Sequence, residues 1–568
     1  MIMMYLFCML ILMFNVGVQV VSCKDQLGDY ADLKFTRFES FIENVIRCRG
    51  VTGATITMVK NNKVVFKRGF GYENVEKRIP VTWKTKFCIG SLTKAFTSTL
   101  IAKLLDLQDS ITWDTPIRDI LGHSFRLYDN LRTENVNLRD LLSHKVGTPP
   151  YFRALLVGFS ENMTREDFVR MLQHQPTAKP FRTDFLYSNY MYTLAGYVAE
   201  KLGKDTWENL VTEMIFKPLG MSRSGFVDKV QNFKNFAFPY SFLNGTAVPL
   251  DITLTQSVHP SGPAGSIYST GSDMAKWIQY HLTELNKLST KNNDNPSNLM
   301  ETYKGQMPSP FPDNDWYRPI YPVEDVAISY NMGWITSIYR GFQRFWHSGG
   351  IVTYSSFLSL YPNKHSGVFI SLTGSKNNEN SLPMKALISM ASDVLLDVPS
   401  WLNETSACLT PAPWKIKVEK RSEVNKNTMF LMNNISDIKD YEGFYEHPAF
   451  GQINVKAADN KSDLFLHFGR FGRMRLIPLK DKGEFLAEFI DKLWFVTGSD
   501  GKSSYYPVTF VYSEDNNIVG LKFPVDRKYD RSFFTKYCQD KSTISLIISI
   551  ITCCFVLHIL LIHNKVNK

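Results

Sequence analysis

The segment Cys88–Leu107, CIGSLTKAFTSTLIAKLLDL, combines a small-residue entrance with the pattern of an amphipathic helix. Its apolar residues recur at helical spacing, which predicts that they seat the helix in the core: Phe96, Leu100, Leu104 and Leu105. Ser91 and Lys94 stand three positions apart at the start of this helix. Side chains at this spacing lie on one face of a helix, so the two polar groups can meet.

Two interpretations of this pair stay open from the segment alone. Ser91 can be a helix N-cap beside an exposed lysine. It can also be a nucleophile, because a lysine held in its neutral form can accept the hydroxyl proton. Backbone N–H groups at a helix N-terminus would then stabilise an oxyanion. Ser-x-x-Lys recurs at Ser436/Lys439 and Ser499/Lys502, but only the pair at Ser91 follows a short apolar run and a glycine.

A second candidate group is Tyr187 with Asn189, in the segment FLYSNYMYTLAGYVAEKLG. Both residues stand just before a long amphipathic pattern, where loop side chains can face a cleft. A phenol near cations loses its proton more readily and could act as a base. The alternative is a structural tyrosine with a capping serine or asparagine. Tyr-x-Asn occurs three more times, at Tyr72, Tyr128 and Tyr361, without this context.

A third candidate is His347, followed by Gly349 and Gly350, in WHSGGIVTYSSFLSLYPNKHSGVFISLTG. This stretch, Trp346–Gly374, predicts two strands around PNKHSG. Small residues in the first strand would let a substrate backbone approach closely. His-x-Gly also occurs at His365 and His467, where a turn explains it better.

The surrounding pattern predicts an α+β domain. A helix over YADLKFTRFESFIENVI and a hairpin over ATITMVKNNKVVFKRGFG open it. A hairpin and the helix LPMKALISMASDVLLDV close it. We therefore expect an antiparallel sheet whose first and last strands are neighbours, flanked by helices, with the helical middle of the chain forming a second lobe.

Taken together, SLTK, YSN and HSG resemble, in order, the three motifs of the serine β-lactamase-like superfamily. The resemblance is to the branch of class C β-lactamases, D-alanyl-D-alanine carboxypeptidases and related esterases. It extends to the intervening segments LRDLLSHKVGTPPY, MIFKPLGMSRSGF and PAGSIYSTGSDMAKW and covers about residues 35–398.

The resemblance implies a role for each matching residue. Ser91 would be the acylated nucleophile, and Lys94 would help to take its proton. Tyr187 would be the general base in acylation and would help to activate water in deacylation. Asn189 would form a hydrogen bond with the lysine or with the substrate amide. The oxyanion hole would be formed by the N–H groups of Ser91 and Gly350. No metal or organic cofactor is implied.

The sequence departs from the family pattern at His347, where a lysine usually stands. A histidine is only partly charged near neutral pH, so recognition of a substrate carboxylate is in doubt. The resemblance therefore favours esterase or amidase activity. Gly349 and Gly350 are expected to leave room near the oxyanion site.

The carboxy-terminal part of the chain has a different pattern. A linker rich in Pro, Lys and Asn is predicted at 401–436, followed at 437–537 by short alternating strands typical of a small barrel or sandwich. DYEGFYEHPAFGQINVK resembles the start of the lipocalin-like β-barrel appended to such hydrolases. The predicted hydrolase domain is 24–400.

Both ends of the chain are apolar. Residues 1–22 read as a signal peptide, with an uncleaved anchor as the alternative. Residues 544–562 have the length of a transmembrane helix, and 563–568 form a short basic tail expected on the cytoplasmic side. A signal replaced by a lipid anchor is the alternative. The sequence thus predicts a single-pass cell-membrane protein with extracellular domains, or a secreted or lipid-anchored form.

Other features agree with an extracellular location. N-glycosylation sites are predicted at five positions: Asn162, Asn244, Asn403, Asn434 and Asn460.

The net charge of +10 comes from 64 basic and 54 acidic residues without a long basic block, so we do not expect nucleic-acid binding.

The function predicted from the sequence is a cell-surface serine hydrolase that acts through an acyl-enzyme on an ester, amide or peptide. The expected partners are that substrate, the membrane and, as a further option, other copies of the chain. The alternative is a catalytically idle adhesion, matrix or assembly protein, because a fold does not fix an activity.

Overall fold

The computed structural model describes residues 34–289, 297–308, 325–376, 379–414, 438–459, 463–496, 505–526 and 532–537. The predicted signal peptide, membrane helix and tail lie outside these residues, as do Asn434 and Asn460. Within the described ranges, every helix is too short or too polar to cross a bilayer.

The strands described in the first domain are, in chain order, β1 Gly53–Lys60, β2 Lys63–Asn74, β3 Ile79–Pro80, β4 Phe87–Cys88, β5 Gly225–Phe226, β6 Tyr240–Leu243, β7 Thr246–Pro249, β8 Ile267–Ser269, β9 Met307–Pro308, β10 Asp325–Tyr330, β11 Ile335–Tyr339, β12 Phe342–Ile351, β13 Tyr354–Tyr361 and β14 Ser366–Thr373. The helices are α1 34–49, α2 Thr93–Leu105, α3 Ile117–Leu121, α4 Asn130–Asn135, α5 Leu138–Leu142, α6 Phe152–Val157, α7 Arg165–Met171, α8 Asn189–Gly203, α9 Trp207–Val211, α10 Gly262–Gly265, α11 Gly271–Ser289, α12 Asn298–Glu301, α13 Ser381–Leu396 and α14 Glu404–Cys408.

The largest sheet has the strand order β3-β2-β1-β14-β13-β12-β11-β10-β9. The first long strand, β1, pairs antiparallel with the last, β14, in the register Gly53↔Thr373, as the sequence predicts. Seven of the eight residues of β1 are buried, because α1 and α13 cover one face of the sheet and α11 packs on the other. The predicted α+β class is confirmed.

The stretch Trp346–Gly374 contains parts of three strands rather than the two predicted. The chain reverses at Val352 and Thr353 between β12 and β13, and again at Pro362–Lys364 before β14. The first reversal contains no Gly, Pro or Asn and therefore lacks the usual turn signal.

The helix that starts after Ser91, α2, is buried on all sides instead of being amphipathic. Lys103 is the only residue of α2 that is not buried. Phe96 stacks on Trp277 of α11 with ring centroids 3.8 Å apart, so α2 joins the sheet domain to the helical lobe. A helix in this central position needs apolar or small residues all round, which explains its Thr, Ser and Ala content.

The first domain extends beyond the predicted boundary at residue 400. Leu402, Ala407 and Trp414 are buried against the cluster that contains α1 and α13. A disulfide joins Cys48, in α1, to Cys408, in α14. The part of the predicted linker up to residue 414 therefore packs on the first domain, because the disulfide and apolar side chains hold it there.

The second domain is a closed eight-stranded antiparallel barrel, which confirms the predicted all-β unit. Its strands are β15 Gly443–His447, β16 Gly451–Ala457, β17 Leu464–Phe468, β18 Gly472–Pro478, β19 Glu484–Phe489, β20 Tyr506–Tyr512, β21 Ile518–Phe523 and β22 Ser532–Tyr537. Residues alternate along these strands, so that Leu464, Leu466 and Phe468 are buried inside.

The barrel packs on the helical lobe around α6. The backbone N–H of Phe471 donates to the carbonyl of Val157 at 2.8 Å. Arg153 Nη1 donates to the carbonyls of Pro524 and Asp526 at 2.6 and 2.8 Å. Barrel and lobe side chains belong to one continuous apolar cluster.

Candidate active site

Ser91 lies at the junction of the two lobes, in a short 3₁₀ turn, Gly90–Leu92, that leads from β4 into α2. Leu92, and not Ser91, occupies the N-cap position of α2. The Ser91 hydroxyl is therefore not used as a cap. It points instead toward two polar side chains, Lys94 and Tyr187.

Lys94 is completely buried, which excludes the solvated lysine of the alternative interpretation. Its Nζ lies 3.0 Å from Ser91 Oγ, 2.7 Å from Asn189 Oδ1 and 2.8 Å from the carbonyl oxygen of Ala264. Burial lowers the pKa of Lys94 well below its ordinary value, because the charged form loses its hydration. A neutral amine donates two hydrogen bonds, which the two carbonyl oxygens can accept. In that form the lone pair of Lys94 would face the Ser91 hydroxyl, whereas a protonated amine would donate to Ser91 Oγ.

Tyr187 contacts the same serine, with its Oη 2.8 Å from Ser91 Oγ. Burial raises the pKa of the Tyr187 phenol, and the hydrogen bond with Ser91 opposes this only in part. The expected easier loss of the phenol proton is therefore wrong for this resting site. Burial removes the hydration that a phenolate would need, and this effect outweighs the hydrogen bond with Ser91.

Asn189 is the first residue of α8 and stands two residues after Tyr187. Its side-chain oxygen accepts from Lys94, which ties the helical lobe to α2. The loop before α8 thus supplies two side chains to the site, as the YSN pattern predicts.

His347 lies in β12 and is 4% exposed. Its Nε2 is 3.1 Å from Tyr330 Oη, and its Nδ1 is 2.6 Å from the carbonyl oxygen of Ser348. Burial, assisted by Lys94, lowers the pKa of His347 to about 3. The partial positive charge expected at neutral pH is therefore absent, and both ring nitrogens already have protein partners.

The two glycines after His347 differ in their surroundings. A Cβ on Gly349 would lie 2.0 Å from the carbonyl oxygen of Ile89, whereas a Cβ on Gly350 would meet nothing closer than 3.8 Å. Gly90 has φ +52°, and a Cβ there would lie 2.7 Å from the nitrogen of Gly350. Gly349 therefore permits backbone contact instead of leaving room, and only Gly350 faces open space.

Two side chains at the site carried no role in the sequence interpretation. His144 lies in the turn after α5, and its Nε2 forms a hydrogen bond with Tyr330 Oη at 3.2 Å. Tyr330 stands at the end of β10 and forms a hydrogen bond with His347. Both are buried. His144 stands inside LRDLLSHKVGTPPY, a segment that carries the family resemblance, so a signal existed for it. Tyr330 had none.

The aromatic side chain of Phe152 borders the candidate active site on its solvent-exposed side. It is 53% exposed and stacks on Tyr187 with ring centroids 6.5 Å apart. Phe152 begins α6, the helix on which the barrel rests. The barrel therefore contacts the same short helix that borders the site.

The three predicted glycosylation asparagines within the described residues are exposed: Asn162, Asn244 and Asn403. Asn403 also caps α14, where its side-chain oxygen accepts from the N–H of Ser406. Asn244 lies in the tight turn between β6 and β7.

Comparison with known proteins agrees with this geometry. A profile of the beta-lactamase family matches residues 38–390. Protein flp of Staphylococcus aureus (strain COL) is 25% identical over 339 residues, which are 59% of this chain and 62% of that protein. The chain thus spans less than two thirds of the length of this relative. The unguisins hydrolase ungD' of Aspergillus campestris is 24% identical over 461 residues, 78% of this chain and 82% of that protein.

Solved structures share the fold. The octameric penicillin-binding protein homologue from Pyrococcus abyssi has a TM-score of 0.51 and 24% identity, covering 88% of this chain and 100% of its own. The D-amino acid amidase from Ochrobactrum anthropi SV3 has a TM-score of 0.51 and 18% identity, covering 63% of this chain and 99% of its own.

Proposed function

Because the chain belongs to the beta-lactamase family, we propose that it is a serine hydrolase that forms a covalent acyl-enzyme on Ser91. The observation that carries the proposal is the pair of contacts to Ser91 Oγ, 3.0 Å from Lys94 Nζ and 2.8 Å from Tyr187 Oη. A nucleophile needs a proton acceptor at such a distance.

In acylation, the Ser91 oxygen forms a bond to the substrate carbonyl carbon while its proton moves to Lys94. Burial favours the neutral amine and so prepares it as the acceptor. The leaving group departs with the proton of Tyr187, which faces the same oxygen. The acyl-enzyme then carries a lysine ammonium and a tyrosine phenolate.

In deacylation, the Tyr187 phenolate takes a proton from a water molecule that attacks the acyl carbon. The Ser91 oxygen leaves and recovers its proton from Lys94. Each residue returns to its starting protonation state. Tyr187 thus serves as acid in the first step and base in the second, which modifies the role implied by the resemblance.

The N–H groups of Ser91 and Gly350 are the proposed oxyanion hole. The close approach of Gly90 to Gly350 supports this, because it brings the two backbones together beside Ser91. Preorganised N–H donors of this kind stabilise the charge that develops on the carbonyl oxygen.

We propose substrates that carry no carboxylate next to the scissile bond: esters, amides or peptide-like amides. His347 is neutral and occupied on both nitrogens, so it offers no cation to a substrate carboxylate. D-amino acid amidase and unguisins hydrolase are activities of proteins that resemble this chain. They suggest which amides to test first.

The proposed location is the cell surface, with the described domains outside the cell. The disulfide between Cys48 and Cys408 supports this, because such bonds persist in oxidising compartments. The three exposed sequon asparagines are compatible with it. Membrane attachment through 544–562, a signal peptide at 1–22 and a barrel domain at 437–537 belong to the proposal. Glycosidase treatment and protease protection in intact cells test them.

Self-association is also part of the proposal. A protein of the same fold from Pyrococcus abyssi is octameric. Light scattering on the glycosylated ectodomain would give the mass directly, and a monomeric mass would remove this element.

The deciding experiment is labelling with a fluorophosphonate or a fluorescent penicillin, followed by mass spectrometry of the modified peptide. We expect one adduct on Ser91 and none in Ser91→Ala. Equal labelling of both proteins would refute the nucleophile. A turnover panel of neutral and carboxylate-bearing esters and amides tests the substrate class. Absence of both labelling and turnover would favour the idle adhesion, matrix or assembly protein.

A further inference from the structure

A continuous chain of hydrogen bonds crosses the protein behind the nucleophile. It begins at the backbone N–H of Ser188, which donates to His144 Nδ1 at 3.0 Å. His144 Nε2 is 3.2 Å from Tyr330 Oη, which is 3.1 Å from His347 Nε2. It ends where His347 Nδ1 meets the carbonyl oxygen of Ser348 at 2.6 Å.

The two backbone ends determine every proton between them. An N–H can only donate, so His144 Nδ1 carries no proton and its Nε2 does. A carbonyl can only accept, so His347 Nδ1 carries a proton and its Nε2 does not. The Tyr330 hydroxyl then accepts from His144 and donates to His347. This is the one arrangement of neutral groups that satisfies all four contacts.

The chain is enclosed by protein. His144, Tyr330 and His347 are 0%, 1% and 4% exposed. Tyr192 and Phe185 pack against His144 with ring centroids 5.3 and 5.4 Å away. A buried polar network of this kind is rigid when each member is paired and costly when one partner is lost.

His144 also has an uncommon backbone conformation, with φ +61°. A non-glycine residue in the left-handed region is energetically costly and is retained where the surrounding contacts require it. Here the conformation aims the imidazole between Ser188 and Tyr330. Burial lowers the pKa of both histidines, which favours the neutral forms that the chain needs.

The two ends of the chain adjoin different walls of the cleft. Ser188 stands between Tyr187 and Asn189, on the helical lobe. Ser348 precedes Gly349, which touches the backbone just before Ser91. The hydrogen bonds therefore connect the lobe that supplies the proton-transfer groups to the strand that borders the oxyanion hole.

We propose that His144 and Tyr330 are positioning residues that act through His347 to hold the two walls of the cleft in register around Ser91. This inference rests on the proposed function for its kinetic consequence, but its hydrogen-bond pattern does not. His347 becomes part of the scaffold and is not a contact for substrate charge.

The test is Tyr330→Phe, which removes the central hydroxyl and keeps the ring. The matched control is Tyr361→Phe. Tyr361 is also buried, and its hydroxyl donates to Ser392 Oγ at a distance of 2.8 Å, outside the cleft. Both variants are first checked for folding by thermal denaturation. We expect Tyr330→Phe to acylate with the fluorophosphonate about 10- to 100-fold more slowly, since small misplacements at a reacting centre have such effects. Tyr361→Phe should retain the wild-type rate constant.

His144→Asn is the second variant, for use if Tyr330→Phe does not fold. Asparagine tolerates positive φ, and its side-chain oxygen can accept from the N–H of Ser188 in place of Nδ1. It cannot donate to Tyr330 from the Nε2 position. The same slowing of acylation is expected, and a wild-type rate in a folded variant would overturn the proposal.

The protonation pattern is measured separately by ¹⁵N NMR of the ring nitrogens in histidine-labelled protein, assigned from His144→Asn and His347→Asn. We expect opposite neutral tautomers, with the proton on Nε2 of His144 and on Nδ1 of His347, and altered signals from both in Tyr330→Phe. Equal tautomers, or signals unchanged by Tyr330→Phe, would overturn the inference.

The two proposals fail differently. If Ser91→Ala labels like the wild type, the proposed function is refuted, whereas the tautomers still decide the hydrogen-bond chain. If labelling depends on Ser91 but not on Tyr330, the function stands and the positioning role is refuted.

Discussion

Lys94 combines full burial with three close polar contacts, and its role as proton acceptor can be tested at the level of the single side chain. Lys94→Met removes the amine and keeps an unbranched side chain that is one atom shorter. We expect the acylation rate constant to fall by about 10²- to 10⁴-fold, the usual contribution of general acid–base groups.

The matched control for this prediction is Lys103→Met on the same helix, since Lys103 is the one residue of α2 that is not buried. It should leave the rate unchanged. A comparable loss in both variants, measured by stopped-flow labelling, would assign the effect to the helix and not to the amine.

His347 gives a pH dependence of known sign. Its pKa falls from 6.5 to about 3 on folding because the ring is buried near Lys94. The unfolded state therefore binds more protons below pH 6.5, and the free energy of unfolding decreases as the pH falls from 6.5 toward 3. Each such histidine contributes a slope of up to about 1.4 kcal/mol per pH unit.

Denaturant unfolding between pH 7.5 and 4 measures this slope. His347→Asn should reduce it, whereas His365→Asn, in an exposed turn with φ +42°, should not. An unchanged slope in His347→Asn would show that this ring is not held neutral by burial.

At the scale of elements, the contact between β12 and the turn before α2 depends on a missing side chain. Gly349→Ala would place a Cβ 2.0 Å from the Ile89 carbonyl oxygen. Backbone must then move, and such overpacking costs about 1–3 kcal/mol of stability. The neighbouring Gly350→Ala, with its nearest atom at 3.8 Å, is the control for stability. The melting temperature of Gly349→Ala should be lower than that of Gly350→Ala. Equal melting temperatures would contradict the close approach of Gly349 to the Ile89 carbonyl.

A buried ion network joins the sheet to its covering helix. Asp325 in β10 lies 2.5 Å from Arg344 of β12 and 2.7 Å from Lys385 of α13, and all three are buried. Asp325→Asn would leave two cations without their shared anion, so we expect a loss of about 3–5 kcal/mol in the free energy of unfolding.

The control for this network is Glu39→Gln, which breaks an exposed pair with Arg68. Exposed pairs contribute only about 0–1 kcal/mol. Chemical denaturation compares the two losses, and equal values would mean that burial does not strengthen the network.

At the scale of the whole molecule, the barrel and the hydrolase domain meet through backbone as well as side chains. Gly469 has φ +65°, and a Cβ there would lie 2.3 Å from the carbonyl oxygen of Gly158. Gly469→Ala should therefore loosen the interface and increase cleavage by protease between the domains.

Gly451→Ala is the matched control, because Gly451 also has positive φ but nothing within 4 Å of the added Cβ. Both variants carry the same kind of backbone strain, and only Gly469→Ala collides with the other domain. Equal protease sensitivity would argue against the interface. Since α6 also carries Phe152, a loosened interface should raise the KM for bulky substrates more than for small ones.

Much of this architecture could be predicted because its signals are local. The hairpin β1–β2, the helix after Ser91 and the alternating barrel strands are encoded in neighbouring residues, whose spacing of 3.6 or 2 selects the element. The turn at Val352 and the burial of α2 on every side were missed. Neither feature has a signal in the neighbouring residues. The turn lacks the usual turn-forming residues, and the burial of α2 depends on the elements that pack around it.

For the candidate site, the sequence by itself determined that Ser91 and Lys94 share a helix face, because positions three apart meet in any helix. It also supplied Tyr187, Asn189 and His347 as candidates. Only the tertiary structure decided that these groups converge, since Tyr187 lies 96 positions from Ser91 in the chain. It also decided their charges: enclosure removes water, which favours a neutral Lys94, a protonated Tyr187 and a neutral His347. Hydration is a property of the folded surroundings and not of the residue, so no spacing in the sequence can reveal it.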